Sequence, residues 1–262
     1  MDIEVVMELA SGLYIAERAA KPDESLSGRH PDLDPAAAYA IQERYAQLRI
    51  EAGARLIGRK IGCTNKTIQE FFNIDTPDFG QLFDDMVVAD AAEIAVMNLI
   101  APMVEPELTF LLEKDLRGPG LTVVDVLDAT ASVLPSLEII DSRIRGWDIT
   151  FVDTVADNGS SARCVFGAAL PYDPVSTVDL RGERVRLLRD GAELDTGLGE
   201  VVLGHPAAAV AWLANALAEY DRGLRAGDYV MSGSMTGAVP ALAGETYTAV
   251  FDSYGTVSCR FV

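Results

Sequence analysis

A chain of 262 residues, 49% hydrophobic and 23% charged, holds enough apolar material for one large folded unit with a substantial core, and its composition excludes a disordered polymer. Its formal net charge of -19 at pH 7 excludes nonspecific binding to nucleic acid or anionic membranes, which reward basic patches that release counterions. A small anionic ligand would need a local exception, either a metal ion or a few well-placed cations.

The opening "MDIEVVMELASGLY" is acidic where a signal peptide is basic, and no apolar run approaches the length of a membrane span, so the expected compartment is the cytoplasm. Ile3, Val6, Ala10, Leu13 and Tyr14 fall at helical spacing and predict an amphipathic helix from Ile3 to about Ala20. After the polar "KPDESLSGRHPDLDP", Asp34 and Pro35 make an N-cap and first-turn pair for a second helix, with Ala38, Ile41, Tyr45 and Leu48 on one face. From Arg55 the pattern changes to short β-type runs, which divides the chain into a helical arm over 1–54 and a β-rich core over 55–262 that acts as one functional unit. Strands are expected at Val104–Leu112, Leu137–Asp141 and Ala162–Phe166, in a hairpin from Arg184 to Val201 turning at "RDGAE", and in three runs around Tyr229, Tyr247 and Val257. Two helices interrupt them. "LTVVDVLDATASVL" opens with a capping-box-like Thr122 and Asp125, and "HPAAAVAWLANALAEY" has Pro206 in its first turn, with His205 in a capping or packing role.

The chemistry concentrates in a few places. Glu105 and Glu107 lie two apart in a strand-like run, so their carboxylates share a face, where they are tolerated either in water or around a cation. Glu138 sits among Leu137, Ile139 and Ile140 in a run that asks for burial, and a buried carboxylate needs a partner. Together they offer an all-oxygen set suited to magnesium or manganese; an exposed pair plus one salt-bridged glutamate is the plainer alternative. Lys60, between Gly58 and Gly62, is either an exposed edge-strand lysine or a desolvated one with a lowered pKa, fit for proton transfer or for holding an anion. The turn-rich "NIDTPDFGQLFDDM" offers Asp78. "VADNGSSARCVFG" gathers Asp157, Asn158, Ser160, Ser161 and Arg163, and "SGSMTGAV" includes Thr236; both suit a substrate's oxygens and both suit ordinary turns. Cys63, Cys164 and Cys259 lack metal or redox spacing and are expected to be small buried hydrophobes. No nucleophile elbow, HExxH, P-loop or dinucleotide fingerprint is present.

The segments "GRKIGCTNKTIQEFFNIDTPDFGQLFDDM", "VEPELTFLLEKDL", "LPSLEIIDSRIRGWDITFVDTVADNGSS" and "GDYVMSGSMTGAVPALAGETYTAVFDSYGTVSCRF" resemble, in order, the 2-keto-4-pentenoate hydratases and 4-oxalocrotonate decarboxylases of the fumarylacetoacetate hydrolase superfamily. The resemblance implies an α+β fold with mixed sheets rolled around the active site, and a homo-oligomer able to associate with a homologous enzyme of the same pathway. It implies that Glu105, Glu107 and Glu138 bind one divalent cation, that Lys60 is the active-site lysine, and that Asp78 and the Ser160/Ser161 region lie near a small anionic 2-oxo or 2-hydroxydienoate substrate. The implied reaction is hydration of 2-hydroxypenta-2,4-dienoate to 4-hydroxy-2-oxopentanoate in meta-cleavage degradation of aromatic compounds. Arg163 is the departure: a cation there resembles the decarboxylases, whose substrate carries a second carboxylate, or hydratases of longer or dicarboxylate dienols.

Overall fold

The structure, a computed structural model, describes residues 1–173 and 178–262. Helix α1 (Ile3–Ala19) starts where the Asp2 side chain accepts from the Glu4 amide at 2.9 Å, and stops at Ala20 in the left-handed region. The polar segment holds a single turn of helix, α2 (Leu26–Arg29), and Asp34 then caps α3 (Pro35–Glu51) through the Ala37 amide at 2.8 Å. Leu9 and Leu13 of α1 and Ile41 and Tyr45 of α3 are buried together with Ile144, Val155 and Ala156 from much later in the chain. The arm is thereby packed onto the segment that borders the site.

The chain continues through β1 (Leu56–Gly62), α4 (Lys66–Phe72), β2 (Asp78–Phe83), β3 (Val87–Val88), β4 (Glu93–Ile94), β5 (Met103–Leu112), α5 (Val123–Asp128) and β6 (Thr130–Ile140). It then forms α6 (Phe151–Ala156), β7 (Ser161–Phe166), β8 (Leu170–Pro171), β9 (Arg184–Arg189), β10 (Ala192–Leu198), α7 (Pro206–Ala218), β11 (Tyr229–Met231), β12 (Val239–Pro240), β13 (Thr246–Phe251) and β14 (Gly255–Phe261). The larger sheet runs β2-β1-β11-β5-β6-β7-β3, with β12 also on β5 and β8 on β6; the smaller runs β10-β9-β13-β14-β4. Parallel pairs β1–β11, β3–β7 and β4–β14 among antiparallel ones make both sheets mixed, and with the helices the class is α+β. β13 and β14 lie against β6, so Leu137, Val185, Tyr247 and Phe261 share one core.

The two central strands each carry a proline, which has no N–H for a ladder. Pro106 of β5 falls in the gap between the stretches paired by β11 and β12, and Pro135 of β6 in the gap between those paired by β7 and β8. The first gap is where the 232–238 loop leaves the sheet.

Several sequence expectations are corrected. The helix expected over "LTVVDVLDATASVL" has its capping box at Thr122 and Asp125 but ends at Asp128, because Thr130–Leu134 pair with β5 and become the start of β6. Half of the "loop" around Asp78 is β2, antiparallel to β1. Helices α4 and α6 were not expected. The stretch Gly199–Ala218 is apolar and long enough to match a membrane span by composition, but half of it is buried, with Val210, Leu213 and Leu217 in the core. His205 is the N-cap of α7, its Nδ1 accepting from the Ala207 amide at 3.0 Å.

Candidate active site

The floor of the site is one face of the larger sheet. Register sets Glu105 of β5 directly opposite Glu138 of β6, and Glu107 opposite Ser136, so the three carboxylates share a face. Lys60 on β1 lies opposite Gly80, and Asp78, at the start of β2, lies opposite Gly62. A cavity of about 300 Å³ opens over this floor, with Lys60, Asp78, Glu105 and Glu107 in its lining and Glu138 fully buried beneath.

Charge is concentrated here under low exposure. One oxygen from each of Glu105, Glu107 and Glu138 lies within 4.8 Å of the others. Lys60 Nζ stands 3.2 Å from Glu138 Oε2, and the Gly233 amide donates to Glu107 Oε2 at 2.8 Å. Both Glu138 oxygens and Asp78 Oδ1 are buried without a hydrogen-bond donor. Burial and then repulsion from Glu138 push the Glu105 carboxyl up to about 7, and the same causes, with Glu105 added, raise Glu107. Burial likewise raises Asp78 against the attraction of Lys60. For Lys60, burial alone would lower the pKa, but Glu138, Asp78, Glu105 and Glu107 outweigh it and the ammonium is held above its ordinary value. The lysine is therefore neither an exposed edge residue nor one of lowered pKa: β1 lies between β2 and β11, and Lys60 is buried.

This donor set fits a hard divalent cation. Opposite ligands in a magnesium octahedron stand about 4.2 Å apart, so the carboxylate oxygens are within a small side-chain adjustment of closing on one ion. Glu138 receives no hydrogen bond among the described residues, and the Lys60 ammonium ion-paired to it cannot alone neutralise three carboxylates, two of them buried, which supplies the need for the ion.

Close backbone approaches shape the space around Lys60. A Cβ on Gly159 would come 2.8 Å from Lys60 Cε, and Gly159 has φ +59, so only glycine fits that place. Asn158 and Ser160 on either side are also left-handed, and the turn is held by Asn158, whose Oδ1 accepts from the Gln81 amide at 2.7 Å while its Nδ2 donates to Gln81 O at 2.9 Å.

The expected site residues separate. Lys60, Asp78, Glu105, Glu107, Glu138, Ser160 and Thr236 are brought together at the cavity. Ser161 is not in the lining; it is fully buried, and its hydroxyl has no partner. Arg163 is a correction: it pairs with Ile139, one residue out of step with Glu138, so alternation turns it to the other face of the sheet, where it donates to Ala162 O. Cys63, expected to be a buried hydrophobe, is half-buried and lines the cavity. The apolar wall was missed altogether: Ile68, Phe71 and Phe72 from α4, and Trp147 and Ile149 before α6. Asn65, whose side chain accepts from the Ile68 amide at 2.9 Å, was the available signal for α4.

The family model described as fumarylacetoacetate (FAA) hydrolase C-terminal matches residues 39–262. The chain belongs to the fumarylacetoacetate hydrolase family. This family member is 43% identical to the 2-hydroxyhexa-2,4-dienoate hydratase of Comamonas testosteroni, over 95% of this chain and 94% of the relative. It is 41% identical to the 2-keto-4-pentenoate hydratase of Paraburkholderia xenovorans, over 97% of this chain and 94% of the relative. The 4-oxalocrotonate decarboxylase from Pseudomonas putida G7, solved in complex with magnesium and adipate, superposes with a TM-score of 0.96 at 33% identity, covering 100% of this chain and 99% of that one. Hydratases and this decarboxylase are lyases, and the chain is an enzyme of that class.

Proposed function

We propose that the protein is a metal-dependent hydratase of 2-hydroxy-2,4-dienoates with an uncharged tail, turning 2-hydroxypenta-2,4-dienoate into 4-hydroxy-2-oxopentanoate. The observation that carries this reading is the lining beyond the carboxylate floor. Among the described residues, Lys60 is its single cationic side chain, and the outer wall of Phe71, Phe72, Trp147 and Ile149 is apolar. A substrate's second carboxylate would meet no cation on this wall, so nothing there would offset the water it gives up. The similarity to hydratases in sequence supports the hydration chemistry, and since a 2-oxo-hept-4-ene-1,7-dioate hydratase is 40% identical, the uncharged tail rests on the lining alone.

Glu105, Glu107 and Glu138 would hold the cation, magnesium or manganese. When bound, it supplies positive charge for the C1 carboxylate and C2 oxygen of the substrate and for the enolate form between dienol and ketone. Lys60 lies against Glu138 and is protonated, so it places an N–H donor where negative charge grows on the C2 oxygen. It takes part in moving the proton from the C2 hydroxyl as carbon C5 is protonated, which leaves a conjugated enone. Asp78, raised in pKa and 3.5 Å from the Thr154 hydroxyl, takes a proton from the water that adds at C4, and C3 receives a proton to complete the addition. Ser160 and Thr236, both in the lining, orient the substrate's oxygens, while the aromatic wall excludes bulk water. The setting is cytoplasmic, and exposed Ile3, Met7 and Ile15 on α1 offer surface for a homo-oligomer or a homologous pathway partner.

A decarboxylase is the second reading, favoured by the close superposition on a decarboxylase. The magnesium-loaded protein is given 2-hydroxypenta-2,4-dienoate and, separately, 2-oxohex-3-enedioate, and products are analysed. Release of 4-hydroxy-2-oxopentanoate from the first, with no carbon dioxide from the second, is expected. Carbon dioxide from the second with little turnover of the first overturns the hydratase.

A further inference from the structure

On the reverse side of β1 lies a second cavity, of about 250 Å³, walled by α3, β1, β2 and the end of α7. Successive side chains of a strand point to opposite faces, so Lys60 serves the first cavity and Arg59 the second, and Gln81, opposite Arg59 in register, faces the same way. Arg59 is only 7% exposed, and among the described residues its Nε and Nη1 meet no acceptor. The acids around it are already engaged: Glu43 accepts from Arg222 at 2.6 Å, and Asp228 accepts from the Arg225 amide at 2.8 Å. Asp228 and Glu43 lend it charge from nearby, but among the described residues neither bonds to it; a buried guanidinium whose Nε–H and Nη1–H are unmet is unfavourable, and its planar fork is shaped for a carboxylate.

The walls say what the carboxylate is attached to. Tyr39 stacks on Phe79 with ring centroids 4.4 Å apart, and Tyr220 stands 6.0 Å from Tyr39 and 6.4 Å from Phe79. Aromatic rings so grouped accept another flat ring in stacked or edge contact. Among the lining residues Arg59 and Arg222 are positive and Glu43 negative, two against one, which leaves a single positive charge to be matched. We propose that this cavity binds a small planar monocarboxylate, an aryl acid, with its carboxylate on Arg59 and its ring among Tyr39, Phe79 and Tyr220. This site is independent of the reaction assigned to the first cavity.

Calorimetric titration of the magnesium-loaded protein with benzoate tests it, with benzamide as the neutral isostere. Saturable binding of one benzoate per chain is expected, with benzamide at least roughly tenfold weaker and Arg59→Gln weakening benzoate roughly ten- to a hundredfold. Ala40→Phe, which fills the cavity from α3 without touching the guanidinium, should also remove binding and serves if Arg59→Gln does not fold. Glu107→Gln, in the other cavity, should leave benzoate binding unchanged. Absence of saturable binding, as when another subunit occupies Arg59, overturns the proposal; so does binding that survives both cavity variants or disappears in Glu107→Gln.

Discussion

Asp153 and Glu138 are both fully buried carboxylates, and the fold treats them in opposite ways. Asp153 accepts from the Leu26 and Ser27 amides at 2.8 and 2.9 Å, from the Ser27 hydroxyl at 2.6 Å, and from the Thr150 amide and hydroxyl at 2.9 and 2.8 Å. Burial alone would raise its pKa, but the bonds from Ser27 and Thr150 outweigh it and hold the carboxyl below its usual range. Among the described residues Glu138 receives no hydrogen bond, and it is set among Glu105, Glu107 and the Lys60 ammonium. A carboxylate that holds a fold together is saturated by neutral donors of the chain, whereas one left with bare lone pairs among like charges is reserved for something the chain does not supply.

The contrast predicts which substitutions harm chemistry and which harm stability. Glu138→Gln or Glu107→Ala should abolish metal-dependent turnover while costing the metal-free protein less stability than Asp153→Ala, since relief of like-charge repulsion offsets the lost Lys60 pair or Gly233 bond; a fully active variant would dissolve the contrast. Lys60→Ala should cut turnover by roughly 10²–10⁴-fold, the range of general acid–base groups, while added magnesium still raises the melting temperature. Asp153→Ala should show the opposite profile. Stripping five donors of their acceptor should cost about 3 kcal/mol in denaturant unfolding, with the turnover of the folded fraction near normal. Magnesium at a hundred times its dissociation constant should stabilise the wild type by about 2.7 kcal/mol, and the Glu107→Ala protein by much less.

The smallest effect is in pH. The folded Asp153 pKa lies below its unfolded value, so its stabilisation is present above that value, about 3.9, and is lost as pH falls through the lower folded one. The stability gap between wild type and Asp153→Asn should therefore narrow below about pH 4; a gap that stays constant on acidification would show that its hydrogen bonds do not set its charge.

The local half of this architecture was legible in sequence. The cap at Asp34, the hairpin at Asp190–Gly191 and the shared face of Glu105 and Glu107 follow from spacing within a few residues, whereas the equally local caps at Asp2 and Asn65 went unread. The pairing of Glu105 with Glu138 and the burial of Lys60 between two strands depend on partners far along the chain, and no local pattern carries them. The same long-range pairing drew Thr130–Leu134 out of a helical pattern into β6. Arg163 was misplaced because its role was taken from a resemblance to the decarboxylases, whereas one step of strand alternation decides which side of the sheet it serves.

The floor and the rim of the candidate active site come from different kinds of backbone. Lys60, Glu105, Glu107 and Glu138 stand on strands held on both sides, while Phe71, Trp147 and Thr236 come from a short helix and connecting turns. Such a molecule can be inherited in two parts. Changes in the connections leave the hydrogen-bonded ladders intact and are tolerated, so descendants of one ancestor can trade one substrate tail for another while keeping the same acid–base and metal-holding chemistry. The variety of names among its relatives, hydratases of different dienoates and a decarboxylase on nearly the same backbone, is the record such a division of labour would leave.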